Sequence, residues 1–214
     1  MRGVLVPFYA YDARCRSTYA AQVGVHWHRT ETFKDKEGNK KTRQVQETEW
    51  FPLQGSAVED LRGHLESASM GLPPSEVVGL GAFDLGRALK FDPHLLAGWG
   101  AELPSHARAQ VDRNAVEHIR VMQARRIKRR LLPGDTSRSV SIKTETELLA
   151  VELLLLPVWV TTYQHAGKVY RLLVHGQSGR CHGEVPVSRA KVVTAALLVA
   201  VLGVIALYLW GVYR

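Results

Sequence analysis

The chain has 214 residues, 46% of them hydrophobic, and a formal net charge of +8 at pH 7. That length supports one domain with a good core, or two small ones. Two cysteines, Cys15 and Cys181, exclude a zinc ribbon, which needs four ligands in paired spacing, and are expected to remain thiols in a reducing compartment.

Residues 4–11 read as a strand, apolar, aromatic and β-branched, with Pro7 placing it at an edge or a strand start. A second strand is expected over 17–32. Tyr19, Val23, Val25 and Trp27 share one face of it, and Gln22, Gly24, His26 and His28 the other. "KDKEGNKK" (34–41) is a polar turn, and "TRQVQETEWF" (42–51) returns as the partner strand. This hairpin, 24–51, should project from the body. Trp27 and Trp50 at its base mark it as a contact for a protein partner or a second copy.

Residues 58–70 fit either an amphipathic helix or an extended segment, and Gly63 weakens the helix. Pro and Gly break 71–104 into short helical turns, with Ser75 and Asp84 as N-cap candidates. The spacing predicts one long helix from Ser105 to about Leu132. Ser105 is its expected cap, Val111, Ala115, Ile119 and Met122 form its apolar stripe, and Pro133-Gly134 stops it. Strand returns over 139–156, followed by a hairpin turning at 176–179.

Two stretches look alike. "VLVPFYAYDARCRSTYAAQVG" and "LLLLPVWVTTYQHAGKVYRLLVHGQSG" align Pro7 with Pro157, Tyr19 with Tyr170 and Val23 with Val174. Two similar β-meanders side by side in one sheet are therefore expected. Their neighbourhood would allow Cys15 and Cys181 to meet.

Residues 192–213 form 22 positions without a charge. As a helix they would cover about 33 Å, enough for a bilayer core of about 30 Å. Tyr208, Trp210 and Tyr213 sit where an aromatic belt belongs, and the opening residues lack the features of a signal peptide. Arg180, Arg189 and Lys191 precede the stretch and only Arg214 follows it. The positive-inside rule then expects a tail-anchored, single-pass protein with its large N-terminal part in the cytoplasm.

Arg125, Arg126, Lys128, Arg129 and Arg130 end the long helix. They suit the negative end of its dipole, and beside an anionic surface they would contact lipid headgroups. Together with Arg189 and Lys191 they make the expected membrane or partner contact. Nucleic acid is not expected, because aromatics are not interleaved with the cluster. His26 and His28 lie on one strand face, with no third ligand at motif spacing. HExxH, GxxxxGK(S/T) and GxSxG are absent from the sequence, so no catalytic, cofactor-binding or metal-ligating residues are assigned.

In order, "VLVPFYAYDARCRSTYAAQVG", "TETFKDKEGNKKTRQVQETEWFPLQG", "FDPHLLAGWGAE" and "LLLPVWVTTYQHAGKVYRLLVHGQSGRCHGEVP" resemble a family of bacterial membrane-associated proteins. These usually begin with a TFIIB-type zinc ribbon, and some carry a misleading helicase-like label. The resemblance covers residues 3–187. This chain starts after the ribbon, so the zinc function does not carry over. The resemblance implies a membrane anchor or adaptor at the bacterial inner membrane, in a membrane-stress or stomatin/flotillin-like assembly.

The architecture these readings favour is α+β. A mixed or antiparallel sheet built from the two meanders packs with one long helix in a cytoplasmic domain (1–187). A juxtamembrane linker and a transmembrane helix (192–213) complete residues 188–214. The expected function is a non-enzymatic tail-anchored adaptor or accessory subunit, working with other membrane-associated subunits. The alternative is a tethered module for lipid or a small ligand, with its groove between sheet and long helix.

Overall fold

The computed structural model describes residues 2–34 and 38–185 and, beyond them, 194, 197–203, 206 and 210. Its strands are far longer than the sequence suggests. Strand β1 runs Arg2–Lys34 and β2 runs Lys40–Ser67. At about 3.3 Å per residue, β1 reaches roughly 110 Å. A short helix α1 (Pro74–Leu80), two 3-10 turns (Leu85–Arg87 and Pro93–Leu96) and the two-residue strand β3 (Gly100–Ala101) follow. Helix α2 spans Arg108–Arg130, β4 spans Thr136–His165, and β5 (Lys168–His175) and β6 (Cys181–Gly183) close the sheet.

The strand order is β2-β1-β4-β5-β6, antiparallel throughout, with β3 adding a short parallel pair against β1. More than half of the described residues are strand, so the chain is mostly antiparallel β, and the expected α+β architecture is corrected. The reason lies in "DARCR", which looks like a polar break between two strands. In the structure its arginines stay in the sheet: Arg14 pairs with Asp60 of β2, and Arg16 with Glu147 of β4. Charged side chains on an open sheet face do not end a strand when the next strand answers them.

The expected repeat does not survive as two equal meanders. Tyr19 lies inside the unbroken β1. Between Pro157 and Tyr170 the chain instead turns at Ala166 and Gly167, both at positive φ (48° and 78°), which makes the tight β4–β5 hairpin. The proline stretches are nevertheless direct neighbours, with Leu5 opposite Pro157 and Pro7 opposite Leu155.

Both sheet faces are used. On one face Val6, Phe8, Leu156, Val158 and Leu173 pack under Leu72, Leu80 and Phe83. On the other, Val111, Ala115 and Ile119 of α2 cover Tyr11, Ala13 and Cys15. Ser105 does not cap α2. Its hydroxyl accepts from Met70 N instead, and the helix starts after Ala107 without a side-chain cap. Ser75 lies inside α1, whereas Asp84 does cap a 3-10 turn by accepting from Gly86 N.

The expected transmembrane helix is also corrected. Among the described residues, no helix is long and apolar enough to cross a membrane. Within 192–213 the longest described helical run is 197–203. Apart from 194, 206 and 210, the remaining residues of that stretch, and Arg189 and Lys191 before it, lie outside the described residues. The tail-anchored, single-pass and inner-membrane readings lose their structural basis with it.

Candidate functional site: a docking ribbon and a His–Glu–His cluster

Strands β1 and β4 separate after Gly24 opposite Thr136, and β1 and β2 continue alone as a two-stranded ribbon to Lys34 and Lys40. Gly134-Asp135 braces the point of departure. Asp135 N donates to Gly24 O (2.9 Å), and Asp135 Oδ2 accepts from His26 N (2.7 Å).

Directly opposed residues of an antiparallel pair share a face. Val23–Phe51, Val25–Glu49, Trp27–Glu47, Arg29–Val45, Glu31–Arg43 and Phe33–Lys41 are such pairs, so all twelve stand together. This is the same face that α2 covers further back. Helix α2 ends at Arg130, and beyond it Val25, Trp27, Phe33 and Phe51 are exposed. Arg29–Glu47 (2.9 Å) and Arg43–Glu31 (2.8 Å) pair between them. Trp50 stands on the other face, its ring 4.0 Å from the Arg138 guanidinium, so the two tryptophans singled out in the sequence are not one surface. His26 and His28 share that other face, and His26 Nδ1 is 2.9 Å from Thr48 Oγ1.

The basic cluster at the end of α2 divides. Arg126 Nη1 donates to Glu59 Oε2 at 2.9 Å, where Gln123 also donates (2.8 Å), and these bonds hold the Glu59 carboxyl below its ordinary value. Arg125, Lys128, Arg129 and Arg130 are exposed. Cys15 is buried and Cys181 exposed, both free, and burial pushes the Cys15 thiol up.

A second constellation went unread in the sequence. His64 and Glu66 stand two apart on β2, on the face opposite Tyr11 and Tyr9 that α2 covers, and α2 brings His118 down onto them. Glu66 Oε1 accepts from His64 Nε2 (2.8 Å) and from His118 Nδ1 (2.6 Å). Burial pushes the Glu66 carboxyl up, but the bonds from the two histidines more than offset this, leaving it below its ordinary value. The sequence held one signal, the alternation of His64 and Glu66. His118 could not be added without knowing which helical turn meets which strand position.

The groove expected between sheet and long helix is filled by Val111, Ala115 and Ile119. A cleft of about 470 Å³ lies on the opposite face, between Asp12, Arg62, Phe83, Asp84 and Glu152. No family model, curated protein or solved structure matches this chain.

Proposed function

We propose that this chain is a non-enzymatic assembly module that pairs with a second copy of itself through the uncovered face of the β1–β2 ribbon. The observation that carries this reading is the exposed apolar patch of Val25, Trp27 and Phe51 just past the end of α2, with Phe33 standing apart toward the tip beyond the Arg29–Glu47 and Arg43–Glu31 pairs. A two-stranded ribbon is marginal by itself in water, and an exposed apolar patch rimmed by charged residues marks an interaction surface. Charge favours a copy over a different partner. The chain as a whole carries +8, yet this face holds three bases (Arg29, Lys41, Arg43) against three acids (Glu31, Glu47, Glu49). A neutral face with alternating signs is complementary to itself about a two-fold axis.

Sedimentation velocity of the full chain, with and without Trp27→Lys, tests the reading. The parent should sediment as a concentration-dependent dimer and the variant as a monomer with an unchanged circular-dichroism spectrum. Shortening the tip between residues 34 and 41 should weaken the dimer in the same way. A parent that is monomeric at every concentration, or a Trp27→Lys dimer as tight as the parent, overturns the proposal.

A further inference from the structure

The His64–Glu66–His118 cluster has a geometry that ordinary packing does not require. We propose that it is a binding site for a first-row divalent transition cation of the zinc class. Its three ligands would be His64 Nε2, Glu66 Oε1 and His118 Nδ1, all of which lie within 4.8 Å of one another. The argument is independent of the ribbon.

Two imidazoles and one carboxylate are a donor set for zinc-class ions, whereas magnesium and calcium take oxygen ligands. In a tetrahedral site with bonds of about 2.0–2.2 Å, ligand atoms stand roughly 3.3 Å apart. Glu66 Oε1 is now 2.8 Å from His64 Nε2 and 2.6 Å from His118 Nδ1, so each pair need open by less than about 1 Å. Small side-chain rotations suffice. The hydrogens now on the two coordinating nitrogens must leave. Each neutral ring keeps one hydrogen, relocated through solvent to its other nitrogen, so the exchange balances.

Burial argues the same way. The Glu66 side chain is only 8% exposed, which makes it a fixed negative charge under the helix. His118 is 47% exposed and forms the open side, where a water completes the coordination. The strand supplies two ligands and the helix one. A bound cation would therefore clamp α2 to β2. Its binding should be visible as a change in stability as well as in occupancy.

The experiment is calorimetric titration of the chelator-treated full chain with Zn²⁺, repeated with Co²⁺ to read the visible ligand-field absorption. His118→Ala is the chief variant, because its half-exposed position on the helix surface can be changed without opening the core. Glu66→Gln is the second, and His26→Ala/His28→Ala is the control for the other histidine pair. One equivalent should bind to the parent and to the control. Binding to His118→Ala and Glu66→Gln should be at least tenfold weaker. Zn²⁺ should raise the melting temperature of the parent and leave that of His118→Ala unchanged. Substoichiometric binding to the parent, equal affinity in His118→Ala, or loss of binding in the His26/His28 control would each overturn the proposal.

Discussion

The hydroxyl of Tyr11 donates to Asp112 Oδ1 at 2.7 Å across 101 residues of sequence, from the first third of β1 to the second turn of α2. Tyr11 is fully buried and packs with Val111 and Ala115, so this bond sets where the helix sits along the sheet. Arg108 Nε donates to the same oxygen at 2.7 Å, and its guanidinium lies 4.7 Å from the Tyr9 ring centre. Both the uncovered ribbon and the His–Glu–His cluster depend on this placement.

Tyr11→Phe keeps the ring and removes the bond. Asp112 retains Arg108, so no charge is stranded. Hydrogen bonds to charged groups contribute about 1.5–3 kcal/mol, and a loss in that range is expected from urea unfolding. At about 2–4 °C per kcal/mol for a chain of this size, the melting temperature should drop measurably. No change would mean that packing alone places α2.

Asp112 also gives a pH dependence. Burial pushes its carboxyl up, but the bonds from Arg108 and Tyr11 outweigh burial and hold it below its ordinary 3.8. A depressed carboxylate stabilises the fold above its unfolded pKa, and that contribution is lost as pH falls through the folded value. Stability should therefore decline below about pH 4, and Asp112→Asn should flatten the decline. Urea midpoints at pH 6, 4 and 3 decide it; equal slopes in parent and variant would remove Asp112 from the cause. At the other end, burial and the bond to Asp112 raise the Tyr11 pKa well above its ordinary 10.0. Its contribution is complete below that value and is lost as pH rises through the folded one.

Gly134 and Gly98 separate backbone conformation from contact. Both have positive φ, 93° and 79°. A Cβ on Gly134 would stand 2.8 Å from Gly24 O, whereas one on Gly98 would meet nothing within 4 Å. Gly98→Ala should cost about 1–2 kcal/mol from conformation alone. Gly134→Ala should cost more, because the clash is with backbone at the root of the ribbon. Denaturant midpoints of the two variants give the comparison, and equal losses would show that the turn can move aside.

Within the basic end of α2, Arg126→Gln should destabilise the fold by about 1 kcal/mol, since Glu59 loses its charged partner. Arg129→Gln should stay within about 0.5 kcal/mol, as exposed substitutions away from such contacts do. Chemical unfolding of the two variants distinguishes them. Equal effects would make the cluster one uniform face.

The sequence by itself determined the features that repeat locally. Tyr19, Val23, Val25 and Trp27 alternate at period two, and the helix stripe of Val111, Ala115 and Ile119 follows from 3.6-residue spacing, with Pro133-Gly134 stopping the helix, although the buried face continues through Gln123 and Ile127 and not through the expected Met122. Each is a property of neighbouring residues, so each was legible. Strand length was not, because whether Arg14 and Arg16 break a strand depends on Asp60 and Glu147, which are distant in sequence. Nor was the difference between Tyr19 in an unbroken strand and Tyr170 beyond a turn, since similar spacing carries no record of the turn at Gly167. The tertiary structure alone decided which face of the ribbon stays uncovered, because that is set by where α2 ends upon the sheet. It also decided the meeting of His118 with Glu66, 52 residues apart, because docking a helix fixes which of its turns faces which strand position, and no local period encodes that choice.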